Sequence, residues 1–157
     1  MKWQLRIAKK FLVLWLFMGL LFTYTRGYGQ STTEEAKVLL EKVGFKSGLC
    51  LIVGAKDLKL SSSLASSSEF YIQVLQSDFK IANQWGIEVA TSINREKIGI
   101  RNSFFDLDTY GSELFNLIVL EDIVGLEKIK LKDLMRLVVP KGVIVFRKLP
   151  SGYEEEV

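Results

Sequence analysis

Glu113 to Asp122 reads ELFNLIVLED, and Leu131 to Phe146 reads LKDLMRLVVPKGVIVF. From Leu114 to Leu120 the run is apolar apart from Asn116, which predicts a strand buried on both faces. In the second stretch Leu131, Leu134, Met135 and Val138 recur at helical spacing. Pro140 and Gly142 then stop the helix, and Val143 to Phe146 predicts a further strand. A strand, a helix and a strand in that order form a crossover unit, whose handedness makes the two strands parallel.

The alternation continues toward the amino end. Leu49 to Val53 is a short continuous apolar run, closed by Gly54, and predicts another strand buried on both faces. A helix follows from Leu58 to about Ser67, weakened by the serines at 61–63 and 66–68. The competing reading of that run is a flexible linker, but Leu60, Leu64 and Ala65 at helical spacing favour the helix. Phe70 to Leu75 predicts a strand. Asp78 caps a third helix whose apolar face comprises Phe79, Ala82, Val89, Ala90 and Ile93. Gly86 weakens that helix and leaves a strand over Ile87 to Ile93 as the alternative; the need for a crossover decides for the helix. Lys97 to Ile100 is a short strand. Ahead of all these, Thr32 and Glu35 have capping-box spacing. Ala36, Leu39, Leu40 and Val43 follow on one face, with Gly44 as the left-handed exit.

The expected fold is therefore α/β, a doubly wound and mostly parallel five-stranded sheet. Val53, Leu75, Val119 and Val145 are expected in the middle of the sheet, with Leu39, Leu40, Leu134 and Val138 packed against it.

The chain has 157 residues, enough for one ordinary domain. Of its 21 lysines and arginines five lie in the first 29 residues, which hold no acid, so the remainder carries 16 basic against 18 acidic groups. That near balance gives no reason to expect a nucleic acid or an anionic membrane as partner. There is no histidine, and Cys50 is the single cysteine. Ser-His and Cys-His catalysis, zinc sites built from those residues and an internal disulfide are all excluded.

Residues 1–29 read as an export signal. Lys2 to Lys10 form a basic start, Phe11 to Phe22 is apolar except for Gly19, and Gly27-Tyr28-Gly29 offers small residues for cleavage before Gln30. The apolar run is short for a membrane span, so an uncleaved anchor is the lesser reading, and no cysteine follows for lipid attachment. The expected organisation is a signal peptide over 1–29, one domain over 30–149, and a solvated tail or start of a linker over 150–157. The expected compartment is periplasmic or extracellular, with membrane contact only through the signal before cleavage.

In an open doubly wound sheet the ligand crevice lies beyond the carboxyl ends of the strands, where the strand order reverses. The turn after Val53, the residues after Leu75 and the pair Glu121-Asp122 converge there. A nucleotide-type ligand needs glycines after the first strand and an acid after the second to hold ribose hydroxyls.

On these residues the chain resembles class I S-adenosylmethionine-dependent methyltransferases. Ile52 to Leu60, IVGAKDLKL, stands where that family carries a G-x-G-x-G loop. Glu113 to Asp122 is similar to its fourth strand, and Leu131 to Phe146 to its helix, Pro-Gly-Gly turn and fifth strand. The resemblance covers about residues 32–148. It is closest to exported methyltransferase-like domains that precede quinoprotein-type β-propellers, which implies a downstream domain or another protein as partner.

The resemblance implies a vestigial cofactor site at Gly54, Lys56, Asp57, Gln76 and Glu121. Gly54 is the one loop glycine retained; Lys56 and Leu58 occupy the other two positions, where their side chains are expected to crowd the pocket floor. Asp57 is available to cap the following helix. Gln76 stands at the ribose position without a charge, and Asp78 beside it reads as a helix cap. The family's two further strands and its Asn-Pro-Pro-Tyr type motif are not matched.

Other groupings have plainer readings. Glu121-Asp122 is expected to form a solvated turn, and Asp106 with Asp108 a loop rather than a calcium or magnesium site. Lys128, Lys130, Lys132 and Arg136 are expected on the wet face of an amphipathic helix. Cys50 is expected to be an inert core thiol. The resulting expectation is an exported methyltransferase-like domain that has lost strong S-adenosylmethionine binding and serves as a structural or interaction module, with no cofactor. An active methyltransferase with an unusual loop, using S-adenosylmethionine, is the alternative. A dinucleotide oxidoreductase fragment ranks last, since G-x-G-x-x-G is missing.

Overall fold

A computed structural model describes residues 32–103, 107–121 and 129–147. The expected export signal, Asp106, Asp122, Lys128 and the acidic tail lie outside the described residues. Helix α1 spans Thr32–Val43 and strand β1 Ser47–Val53; α2 spans Lys59–Ser67 and β2 Glu69–Gln76. They are followed by α3 Phe79–Ala90, β3 Ile98–Asn102, β4 Phe115–Leu120, α4 Leu131–Leu137 and β5 Val138–Phe146. The five strands form one sheet in the order β3-β2-β1-β4-β5, and every pairing is parallel. The order reverses between β1 and β4, which fixes the crevice at the ends of Val53 and Leu120.

Local chemistry explains the element ends. Gly44 leaves α1 at φ 77° and donates its N–H to the Leu40 carbonyl at 3.2 Å, the left-handed exit that glycine adopts without strain. Asp78 caps α3, its Oδ1 accepting from the N–H groups of Lys80 at 2.7 Å and Ile81 at 3.1 Å. Serines in and just after α2 bond back to it: Ser61 Oγ donates to the Leu58 carbonyl at 2.9 Å and Ser68 Oγ to the Leu64 carbonyl at 2.6 Å. That is how a serine-rich segment can be buried at Ser61 and Ser68 without leaving hydroxyls unpaired.

Alternation along the strands splits the core into two layers. Cys50, Ile52, Ile72, Val74, Leu117 and Val119 face α1, α2 and α3. Leu51, Val53, Leu75, Ile118 and Leu120 face Leu134 and Leu137 of α4. Each such side chain contributes about 1.5–3 kcal/mol when fully buried.

Several expectations need correction. Trp85 joins Ala82 and Val89 as the buried face of α3, while Phe79 is 70% exposed and Ile93 96% exposed. The helix ends at Ala90, so Ile93 has no turn on which to reach the core. Met135 is exposed, and Val138 belongs to β5 rather than α4. Pro140 and Gly142 do not stop a helix; they lie inside β5 at an irregularity where the pairing passes from Phe115↔Val138 to Leu117↔Val143. Lys141 sits there at φ 68°. An insertion of this kind lets a proline stand in a strand without breaking a regular ladder. Val145 is partly buried because β5 is an edge strand of the described sheet; Val53, Leu75 and Val119 are fully buried as expected. Arg136 is not on a wet face. It donates to the carbonyls of Tyr110 at 2.8 Å and Leu107 at 2.9 Å, tying that segment over α4.

Candidate functional site

Three strand ends build the crevice. After β1, Gly54 turns the chain at φ 71°. After β4, the Glu121 N–H continues the sheet by donating to the Val53 carbonyl at 3.0 Å, which aims the Glu121 side chain at the first loop. After β5, Arg147 N–H donates to the Leu120 carbonyl at 3.0 Å. The guanidinium then stands beside Glu121.

Glu121 is the centre of the arrangement. Its side chain is 6% exposed, so it is not the solvated turn residue that its place at a strand end suggested. Oε2 accepts the Lys56 N–H at 3.4 Å. Oε1 lies 3.4 Å from Arg147 Nη1, an ion pair without hydrogen-bond alignment. Arg147 Nη2 reaches Glu35 Oε2 in the first turn of α1 at 2.7 Å. Burial raises the Glu121 carboxyl above the ordinary carboxylate range, against the opposing pull of Arg147 and the Lys56 N–H; nearby Asp57 raises it further.

The other predicted site residues are placed as follows. Asp57 turns to the helix start, where Oδ1 accepts the Lys59 N–H at 2.9 Å and Oδ2 lies 3.3 Å from Lys59 Nζ. Gln76 straps the first two loops together: Nε2 donates to the Ala55 carbonyl at 3.4 Å, and Oε1 accepts the Asp78 N–H at 3.0 Å. Asn102 closes the same strand end by donating to the carbonyls of Gln76 at 3.0 Å and Ser77 at 3.1 Å. Lys56 is exposed. Leu58 is buried in the layer formed with α1, α2 and α3, so it does not crowd a pocket floor. As the residue preceding α2, at φ −90° and ψ 5°, it directs its side chain into the core.

Arg147 and Glu35 were missed from the sequence. The signal for Arg147 was the one that singled out Glu121, a charged residue directly after a buried strand. Glu35 read only as half of a capping box. Asp108 is exposed and 3.9 Å from Arg136. Among the described residues no group of three or more acids or cysteines is placed to hold a metal ion, and no helix is long and apolar enough to cross a membrane. A separate shallow groove of about 340 Å³ lies over Gln73 and Gly99, walled by Tyr71, Tyr110 and Leu114. Its lining includes the first residues of β3 and β4, Ile98 and Phe115, so it lies toward the amino ends of the strands and away from the crevice.

Solved structures with a similar fold include methyltransferases. A Methanococcus maripaludis protein assigned as S-adenosyl-L-methionine-dependent superposes with a TM-score of 0.62 at 20% identity, over 71% of this chain and 52% of that one. Precorrin-6y C5,15-methyltransferase from Geobacter metallireducens gives 0.58 at 16%, over 71% and 60%. The glycopeptide N-methyltransferase MtfA, complexed with sinefungin, gives 0.55 at 15%, over 76% and 54%. The chain thus has the α/β fold that these methyltransferase structures share, and it spans between 52% and 60% of those three chains. No protein-family model and no curated protein sequence matches the chain.

Proposed function

We infer that this chain is an exported module of methyltransferase architecture whose cofactor crevice is filled by its own side chains, and that it serves a structural or interaction role. Its partner is a downstream domain or another protein. The observation that carries this reading is the Glu121 carboxylate on the Lys56 N–H. Backbone N–H groups at a loop and helix start are what such folds offer to an anionic part of a ligand. Here Glu121 takes Lys56 and Asp57 takes Lys59. A ligand carboxylate or pyrophosphate meets two resident acids instead of two donors, which weighs against S-adenosylmethionine and more strongly against a dinucleotide.

The ribose position supports the same reading. Gln76 has no charge, and both ends of its amide are engaged by backbone groups. The residues present fit S-adenosylmethionine poorly. The export signal adds an argument of supply, because S-adenosylmethionine is made in the cytoplasm. One observation favours the second reading, an active methyltransferase: Leu58 points into the core and leaves the crevice free of its bulk. Calorimetry of the full chain with S-adenosylmethionine separates the two. Absence of saturable heat into the millimolar range is expected; saturable micromolar binding overturns the reading.

A further inference from the structure

We propose that Glu35, Arg147 and Glu121 form an acid-released clasp that holds the amino-terminal helix α1 to the carboxyl edge of the sheet. The proposal rests on the self-filled crevice and adds a regulation to it. One guanidinium bridges two carboxylates on separate elements, Glu35 on α1 at 2.7 Å and Glu121 after β4 at 3.4 Å. Glu121 in turn holds the first loop through the Lys56 N–H. Helix α1 also packs by an apolar face, with Ala36 and Leu40 fully buried and Leu39 and Val43 partly buried on the same core layer.

The groups facing Glu121 set the response to acid. Arg147 after β5 and the Lys56 N–H favour its charged form, Asp57 in the first loop opposes it, and burial opposes it most. When Glu121 takes up a proton, Arg147 loses its buried counter-charge and keeps only Glu35. Both of those side chains are 36% exposed, so the remaining pair is one that water and salt screen readily. The Lys56 N–H loses a charged acceptor at the same time. Neutral Glu121 stays buried without penalty, so what acid removes is the attraction of Arg147, and the clasp loosens while the domain stays folded.

Hydrogen exchange of the full chain in mild detergent tests this. With intrinsic rates corrected, protection of the amides from Ala36 to Leu40 is expected to fall roughly tenfold or more as Glu121 protonates. Glu121→Gln is expected to hold that low protection at every pH. Glu35→Gln, which leaves Glu121 in place, is expected to lower it at neutral pH without changing the Lys56 amide. Protection that ignores pH in the wild type, or wild-type protection in either variant, overturns the clasp. Calorimetric binding of S-adenosylmethionine alongside an intact acid release counts against the self-filled crevice and leaves the clasp standing.

Discussion

The side-chain oxygen of Asn116 accepts the Leu49 N–H at 2.9 Å, across the seam between β4 and β1. The regular ladder between these strands begins one residue later, at Cys50↔Leu117. Asn116 extends the pairing with a side chain, which is why one polar residue stands in an otherwise apolar strand. Gly48, at φ 115°, makes room for it, since a Cβ there falls 2.1 Å from Asn116 Oδ1.

Gly48→Ala is therefore expected to destabilise the domain by about 2–4 kcal/mol, combining left-handed strain with overpacking. Gly86→Ala is the control. That glycine lies inside α3 with nothing within 4 Å of its added Cβ, and the change is expected to stabilise by about 0.5–1 kcal/mol. Urea unfolding curves of equal slope check both signs.

Leu58→Gly is expected to cost about 2–5 kcal/mol, or to prevent folding, because it empties part of the core. Lys56→Gly at the exposed neighbouring position is expected to cost less than about 1 kcal/mol. Placing glycine at both positions is thus a poor way to build a G-x-G-x-G loop here, and thermal melts of the two single variants will separate the effects.

How much of this was legible in advance follows from the kind of signal involved. The apolar runs ending at Val53, Leu75 and Leu120 are one-dimensional patterns, and each became a central strand. Pro140 was misread because a proline that ends a helix and a proline at a strand irregularity look alike until the partner strand is known. Phe79 lies one turn before Ala82 at the margin of the apolar stripe, so periodicity alone could not show that it stays in water while Trp85 meets the core. Glu121 was found as a strand-end acid. Its burial was not foreseen, since the Arg147 that compensates it follows the next strand, 26 residues further along the chain.

Glu121 also predicts how stability depends on pH. Its folded-state pKa is raised. The charged form is therefore disfavoured by folding, and its contribution is full below the unfolded pKa and lost as pH rises through the folded one. Glu121→Gln removes this loss. The melting temperature of the variant minus that of the wild type is expected to grow as pH rises from about 4 to about 7, and a difference that shrinks contradicts the assignment.

Cys50 is fully buried, and desolvation pushes its thiol far above the usual range. A thiol reagent is expected to leave the native protein unlabelled and to modify one group per chain in denaturant. Rapid native labelling would place Cys50 outside the core.

The most direct test of the account is a titration of the full chain in detergent with S-adenosylmethionine, followed through the backbone amide resonances of Gly54 to Lys59 and Glu121. A self-filled crevice predicts that these signals hold still into the millimolar range, the Lys56 amide included. Saturable micromolar shifts centred on Lys56 and Glu121 would mean that the resident carboxylate yields to a ligand, and the reading of an inert site would be wrong.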